Sequence, residues 1–597
     1  MILVASPPMT ENLPSPKCFP RWANGLAFTA CLLPPLVLAI LLRRHAVDVP
    51  YWDEWDDDLA GIFLKWHAGT WHLGDFWAQH NESRLALPRL IFLLLGGFSH
   101  WNILREVAFS FSLAVVAAAA IYFLGRNTFA GRPARIWSAF FIASLLIFSP
   151  AQYQAWLWGM EFVMYLPLVF ILASLQVWQS GISRRPKLIF AGGLALASTL
   201  SFSNGLLAWI ALFPVLFLAE GFTGLQKTSR AALLWLLAFF ACVAVYFQGY
   251  QFPPSPGFWP ALCLDPLRVV EYLCAFLGNP LVNQNSDRSV SAGIAIGGVE
   301  LMLFALGCVA VFRRRNDFAW AQRAWPWLTL GGYGILSALL ATTGRAAFGA
   351  SQALSPRYGI FGVCLAVSLV YLLPLVFLSS SNQSSGKRCA PLAVLGATVI
   401  ALHILAWPAA LLNLSVFSLN LRHAQVCLKF LDVLPPQPAT LANLCPGYAK
   451  LKRMADALDQ AGVLNYPLHQ TRQLTDFKRL SPAGDVGAIE TSQVRGTNLF
   501  LTGWARSATH PAPAGCVVFT FESVGAQPQI FALMDQRLVR VDLVEKLLNP
   551  NFLLAGWQKS CPLADLPKGV LTVKSWSYDA DTDAVAPLGN EVHLDNR

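Results

Sequence analysis

Tyr51-Trp52-Asp53-Glu54-Trp55-Asp56-Asp57-Asp58 packs five carboxylates into six consecutive positions, directly after the first long apolar run of the chain. Acidic side chains are costly near a bilayer, so a cluster at the end of a membrane-crossing segment points to a task there. The rest of the chain supports a membrane setting. Of its 597 residues, 55% are hydrophobic and 13% charged, against about 25% charged in soluble domains. The net charge of +10 does not indicate nucleic-acid binding. The Lys and Arg residues fall mainly in short connectors between apolar runs, where they set topology. Many of the 21 Trp residues lie at the ends of apolar runs, as interfacial anchors do.

The apolar runs predict spans at 23–42, 103–124, 136–150, 160–178, 231–249, 292–312, 324–341, 357–378 and 390–412, with a further apolar stretch at 188–219. Basic residues flank both ends of that stretch, and Ser203-Asn204-Gly205 interrupts it. Two short halves satisfy the positive-inside rule there, although each is shorter than the roughly 20 residues of a full crossing. The expected result is about eleven crossings with the N-terminal segment 1–22 in the cytoplasm and the C-terminus outside. The first 16 residues carry no Lys or Arg, and no small-residue cleavage site follows the first run, so that run is expected to be retained. A long loop at 45–102 then lies outside. An apolar helical stretch is expected near 266–277, and a Ser-rich connector at 379–387.

After residue 412 the composition changes. Residues 413–487 read as helical segments and Pro-rich linkers, notably a helix at 448–461. Short alternating strands at 498–504, 517–522, 529–533 and 570–576 predict a β-sandwich over 488–597. The 12 Cys include no CxxC pair and no zinc-like spacing. Cys427 with Cys445 and Cys516 with Cys561 would form disulfides if this part lies outside the cytoplasm; the alternative is free buried thiols.

Three clusters carry candidate chemistry. Asp53, Glu54 and Asp56 supply carboxylates suited to taking a proton from an attacking hydroxyl. Adjacent acids of this kind also hold a divalent cation, Mg or Mn, although nothing in the chain requires a cofactor. The plainer alternative is a solvated acidic helix start, to which Asp57 and Asp58 are assigned. In the same loop, His80, Asn81, Glu82, Arg84 and Arg89 form a polar patch suited to a sugar or an anionic group. Arg84 and Arg89 are out of place for the positive-inside rule, which leaves phosphate binding or a structural ion pair with the acids. Arg357 and Tyr358, in Ser355-Pro356-Arg357-Tyr358, begin a span at its outer mouth and suit a lipid-linked phosphate; snorkelling to headgroups is the alternative. Arg345 is a weaker case of the same kind. Glu161 lies at the outer start of a span beside Trp156 and Trp158 and could line the same cavity. Glu300 lies within a span and is either functional or a helix-packing group. His510 and His593 read as surface residues.

These motifs resemble the GT-C superfamily of polyprenyl-phosphate-sugar-dependent glycosyltransferases. The shared features are a first span, an outer loop opening on an acidic motif, a surface helix, many further spans and a C-terminal outer domain. Tyr51-Trp52-Asp53-Glu54-Trp55-Asp56 resembles the acidic motif of that loop. His80-Asn81-Glu82-Ser83-Arg84 through Pro88-Arg89-Leu90 sits where protein mannosyltransferases and their relatives carry a His-Pro-Pro-Leu-like segment, from which it departs. The combination with Ser-Pro-Arg-Tyr is similar to bacterial membrane proteins of this type. The resemblance covers roughly residues 20–412. It implies a mainly α, polytopic fold and an inverting transfer from a polyprenyl-phosphate-linked sugar donor to a glycan, lipid or protein acceptor. The base would be Asp53, supported by Glu54 and Asp56, and the place the outer face of the bacterial inner membrane. A transporter or flippase of lipid-linked glycans would show embedded charges in several spans and a repeat between halves, and neither is seen. A polysaccharide polymerase or ligase would carry its large outer loop late in the span order. A scaffold presenting the β-sandwich would leave Asp53 facing bulk water.

Overall fold

A computed structural model describes residues 20–218, 225–252, 258–282, 287–378, 385–482, 484–523 and 525–596. Most of the expected N-terminal segment and the start of the 379–387 connector lie outside these residues. Eight described helices are long and apolar enough to cross a membrane: Arg21–His45, Ile103–Thr128, Pro133–Leu157, Gly159–Gln179, Ser229–Tyr246, Arg288–Arg313, Pro356–Phe377 and Ala390–Lys429. The remaining expected spans are also helical. Phe318–Arg345 has the length, at 28 residues, but its Gly-, Thr- and Trp-rich composition keeps it out of that set. Arg184–Thr199 has 16 residues. It is followed by the turn Ser203–Leu206 and two short helices, Leu207–Leu212 and Val215–Leu218. The break falls at Asn204-Gly205 because the chain folds back on itself there. A Cβ on Gly205 would run into the Ser198 carbonyl.

Pro356–Phe377 forms the centre of the bundle, with all but a few side chains buried. Arg21–His45 and Ala390–Lys429 instead point Leu33, Leu36, Ile404 and Leu405 outward. Such faces are stable only against lipid. Close packing between helices comes from small residues and a few aromatic anchors. Trp327 stacks on Tyr371 at 3.9 Å between ring centroids, and its indole donates to Thr128 Oγ1 at 2.8 Å. Gly125 leaves room for the Tyr371 ring. Helix Ala86–Gly97 exposes Leu90 and Leu94, with Phe98 beyond its end, while Phe92 and Leu93 are buried. That division suits a helix lying in a membrane surface.

The helix Ser385–Lys429 runs unbroken through residue 412, across the expected boundary with the C-terminal region. Its buried end carries Lys429, whose ammonium donates to Ala580 O and Asp583 Oδ1, both at 2.7 Å. The helix therefore seats the β region directly. That region holds two sheets. One orders Lys478–Arg479, Ala584–Pro587, Gly569–Asp579, Cys516–Ser523 and Gln529–Leu533, with Val592–Asn596 also paired to Gly569–Asp579. The other orders Gly487–Arg495, Asn498–Ala505, Gly556–Pro562 and Gln536–Leu538. Phe519 of the first sheet meets Trp557 of the second edge-on at 5.3 Å. Asn498–Ala505 buries alternate side chains, the period-2 pattern of a half-buried strand.

The suggested disulfides are absent. Cys427, Cys445, Cys516 and Cys561 are free, buried thiols. Each sulfur is held by a nearby carbonyl oxygen: Gln437 Oε1 for Cys427, Gly447 O for Cys445, Val517 O for Cys516 and Pro562 O for Cys561.

Candidate active site

The acidic stretch forms a short 3-10 turn, Trp52–Trp55, rather than a helix start. Trp55 anchors it, fully buried against Trp101 with its indole donating to Pro50 O at 2.8 Å. This anchoring turns the five carboxylates in different directions.

Glu54 points inward. Its oxygens accept from Tyr51 N at 2.6 Å and Met160 N at 2.9 Å. Burial pushes its carboxyl up to about 8, against the hydrogen bonds it accepts from Tyr51 N, Glu106 and Met160 N. It ties the loop to the start of the Gly159–Gln179 crossing. Asp57 is exposed and pairs with Arg453 at 3.0 Å. Asp56 pairs with Lys450, and burial still holds its carboxyl somewhat above the usual range.

Asp53 is half-buried beside His80. The hairpin Gln79–His80/Ser83–Arg84 carries His80 there, turning at Asn81 with φ 47°, a left-handed conformation that Asn tolerates. His80 Nδ1 lies 3.0 Å from Asp58 Oδ2, and Nε2 lies 3.6 Å from Asp53 Oδ2. Asn81 Nδ2 donates to Asp53 Oδ2 at 3.4 Å and sits 3.2 Å from His80 Nε2. Burial acts to lower the imidazole, but the two carboxylates outweigh it and raise it to about 9. For Asp53, burial acts upward and is outweighed by His80 and by the charge of Arg357, leaving the carboxyl below its usual value. The charges of His80 and Arg357 thus favour the ionised form of Asp53, and the two carboxylates favour the charged form of His80.

The two arginines of the loop have structural partners. Arg84 is buried and donates to the carbonyls of Trp77, Tyr246 and Gln248 at 2.8, 3.0 and 2.7 Å. Arg89 is fully buried and donates to Asp58 Oδ2 at 2.6 Å and to the Phe76 and Ala78 carbonyls. Three of the five N–H donors of Arg84 and four of those of Arg89 are spent within the protein, and both side chains are buried. Asp58, expected to be a solvated neighbour, is instead the carboxylate that orients His80 and pairs with Arg89.

Arg357 differs. Its guanidinium lies over Trp158 at 5.1 Å and Tyr358 at 5.4 Å, and its Nε is buried with no partner among the described residues. Glu161 Oε2 and Trp158 Nε1, from the same turn region, are likewise buried and unpartnered. A buried polar atom without a partner costs roughly 1–3 kcal/mol. Two of them, on Glu161 and Trp158, lie near the Arg357 guanidinium, whose Nε is the third. Tyr358 is buried beneath this group, its hydroxyl bonded by Arg345 and by Gln352 Nε2. Arg345 also reaches Glu82 Oε1 at 3.3 Å, which joins the 345–358 turn to the hairpin. The site thus gathers Asp53, His80, Asn81 and Glu82 with Glu161, Arg345, Arg357 and Tyr358. Glu300 is buried elsewhere, in Asp287–Arg313.

An apolar groove of about 570 Å³ runs between Arg184–Thr199 and Leu225–Tyr246, lined by Leu188, Leu196, Leu234, Trp235 and Val245. Trp77 and Tyr246 also line it, and the Tyr246 hydroxyl bonds the hairpin at Arg84 N and Glu82 O.

Ligand atoms of Asp53, Asp56 and His80 lie within 4.8 Å of one another, close enough for a divalent cation. The residues as they stand do not fit one. Lys450 occupies Asp56 Oδ1, and the Asn81 amide lies against both Asp53 and His80 Nε2.

No family model matches the chain, and neither does any curated protein. Among solved structures, it is similar to the archaeal oligosaccharyltransferase AglB from Archaeoglobus fulgidus in complex with an inhibitory peptide and a dolichol-phosphate, at TM-score 0.39 and 13% identity over 76% of this chain and 61% of that one. It is also similar to ArnT from Cupriavidus metallidurans bound to undecaprenyl phosphate, at TM-score 0.34 and 13% identity over 74% of this chain and 76% of that one. Likenesses this distant decide nothing about the activity of this chain.

Proposed function

We propose that the chain is an integral-membrane glycosyltransferase that moves a sugar from a polyprenyl-phosphate-linked donor to an acceptor hydroxyl. The observation that carries this is Arg357, whose buried Nε has no partner among the described residues, with the buried, unpartnered Glu161 Oε2 and Trp158 Nε1 nearby and its charge acting on Asp53, the carboxylate beside His80. A lipid phosphate placed on Arg357 and Arg345 leaves its sugar beside Asp53. The apolar groove suits the isoprenoid tail. The acceptor oxygen attacks the anomeric carbon and its proton passes to Asp53. The bond from that carbon to the phosphate oxygen breaks, and the released polyprenyl phosphate carries the negative charge that the arginines neutralise. Attack opposite the leaving phosphate inverts the anomeric centre. The resemblance of the acidic loop to the GT-C superfamily supports the same reading; on it, the site works at the outer face of a bacterial inner membrane, and the positive-inside pattern supports a cytoplasmic N-terminus and an outer β region.

The test is transfer from a radiolabelled polyprenyl-phosphate sugar in membranes by wild type, Asp53→Asn and Arg357→Ala. Asp53→Asn is expected to lose about 100-fold or more of the rate. Full activity in Asp53→Asn would remove the base assignment, and a wild type that binds no polyprenyl-phosphate donor would remove the enzyme class.

A further inference from the structure

We propose that Lys450, brought in by the C-terminal region, is the resident counter-cation of the acidic site and stands where a divalent ion would otherwise bind. It would act as a positioning residue and let the site work without a metal.

The helix that carries it, Tyr448–Gln460, buries Leu451, Met454, Ala455 and Leu458 and leaves its polar side chains on the other face. Lys450 and Arg453, three residues apart, lie on neighbouring positions of a helix surface. They meet the adjacent acids Asp56 and Asp57 in turn. The backbone fixes the contact as well, since Trp52 N donates to Leu444 O at 2.5 Å just before this helix. The match is therefore built in from the main chain outward, rather than left to one flexible ammonium finding a partner.

Around Asp53 the charges divide without an ion. Asp58 is taken by Arg89 and His80 Nδ1, at 2.6 and 3.0 Å. Asp56 is taken by Lys450. Asp53 has only long contacts, 3.6 Å to His80 and 3.4 Å to Asn81, and so keeps lone pairs for a substrate proton. A divalent cation binding Asp53, Asp56 and His80 together would have to displace the Lys450 ammonium. Without Lys450, the same three residues form a donor set once the Asn81 amide turns aside and His80 releases its Nε2 proton to the solvent: two carboxylates and an imidazole whose other nitrogen is oriented by Asp58. The prediction is that removing Lys450 creates a metal site.

This deepens the assignment of Asp53 to the transfer site, but its main readout needs no transfer. The full-length purified chain is titrated with Mn2+ and followed by the loss of free-ion paramagnetic resonance signal, for wild type, Lys450→Met, Lys450→Gln and Lys450→Met with Asp56→Asn. Lys450→Met and Lys450→Gln are expected to gain one Mn2+ site at least tenfold tighter than anything in wild type, and Asp56→Asn is expected to abolish the gain. Lys450→Gln keeps a polar, uncharged end on a side chain one atom shorter and serves if Lys450→Met does not fold. The proposal is overturned if wild type binds one Mn2+ with an affinity that Asp56→Asn destroys, or if neither folded Lys450 variant gains a site. Wild-type transfer that stops in EDTA and returns with Mn2+ would overturn it as well.

Discussion

His80 is held on one side by Asp58, at 3.0 Å from Nδ1 to Oδ2, and presents its other nitrogen to Asp53 at 3.6 Å. In this carboxylate–imidazole–carboxylate line the ionisation of Asp53 depends on a side chain 27 residues away in the sequence, delivered by a two-strand hairpin.

The first prediction concerns pH. His80 is raised from 6.5 to about 9. Its stabilising contribution is full below about pH 6.5 and is lost as the pH rises through 9; the size is of order 3 kcal/mol. The apparent unfolding temperature of wild type in detergent should fall between pH 6.5 and 9, and His80→Gln should flatten that fall. Transfer by His80→Gln should lose its acid limb at a higher pH than wild type, because Asp53 is no longer held down. Identical pH profiles for wild type and variant would show that His80 carries no charge.

The arginines separate by role. Arg84→Ala leaves the Trp77, Tyr246 and Gln248 carbonyls without their donor, and should cost roughly 2–4 kcal/mol of stability. Arg357→Ala removes its ring contacts with Trp158 and Tyr358 and its charge beside Glu161 and Asp53, roughly 1–2 kcal/mol, yet should raise the KM for a polyprenyl-phosphate donor about 10- to 100-fold. Thermal unfolding and donor titration of both variants check this; a reversed pattern would move the phosphate site to Arg84.

Two variants test the inward carboxyl. Glu54→Gln keeps one acceptor of the two that receive Tyr51 N and Met160 N, so about 1 kcal/mol of stability is lost. Transfer per folded molecule should stay within about threefold of wild type, in contrast to Asp53→Asn. A Cβ on Gly159 would lie 2.7 Å from Glu106 Oε2, 2.8 Å from Glu54 Oε1 and 2.9 Å from Ile103 Cγ2. Gly159→Ala should therefore cost roughly 1–3 kcal/mol. A Glu54→Gln protein that is stable but inactive would return Glu54 to the chemistry.

Much of the site was legible because its first members share one loop. Asp53, His80 and Asn81 lie between two apolar runs, and short chain segments keep them together. The roles within the loop were not legible. Asp58 looked like one more surface acid, and only the hairpin brings His80 to it across 22 residues. Arg84 and Arg89 were suspected of phosphate binding because they sit on the wrong side for topology. Their donors in fact close on backbone carbonyls and on Asp58, and nothing in the residue type reveals where a guanidinium fork ends. Lys450 is 394 residues from Asp56. Its one local trace was a Lys and an Arg three apart on an amphipathic helix, the complement of two adjacent acids.

The amino-acid sequence by itself determined that this is a polytopic membrane protein with an acidic first loop and a β-rich C-terminal region. Hydropathy adds residue by residue along the chain, and strand alternation is a local period, so neither needs a fold to be read. Only the tertiary structure decided which carboxylate is available. Ion pairing falls off with distance and grows with burial, and both quantities exist only once remote segments have met. Glu54 became a buried anchor for two backbone N–H groups, Asp56 and Asp58 took their own cations, and of these loop acids Asp53 was left under the charge of Arg357.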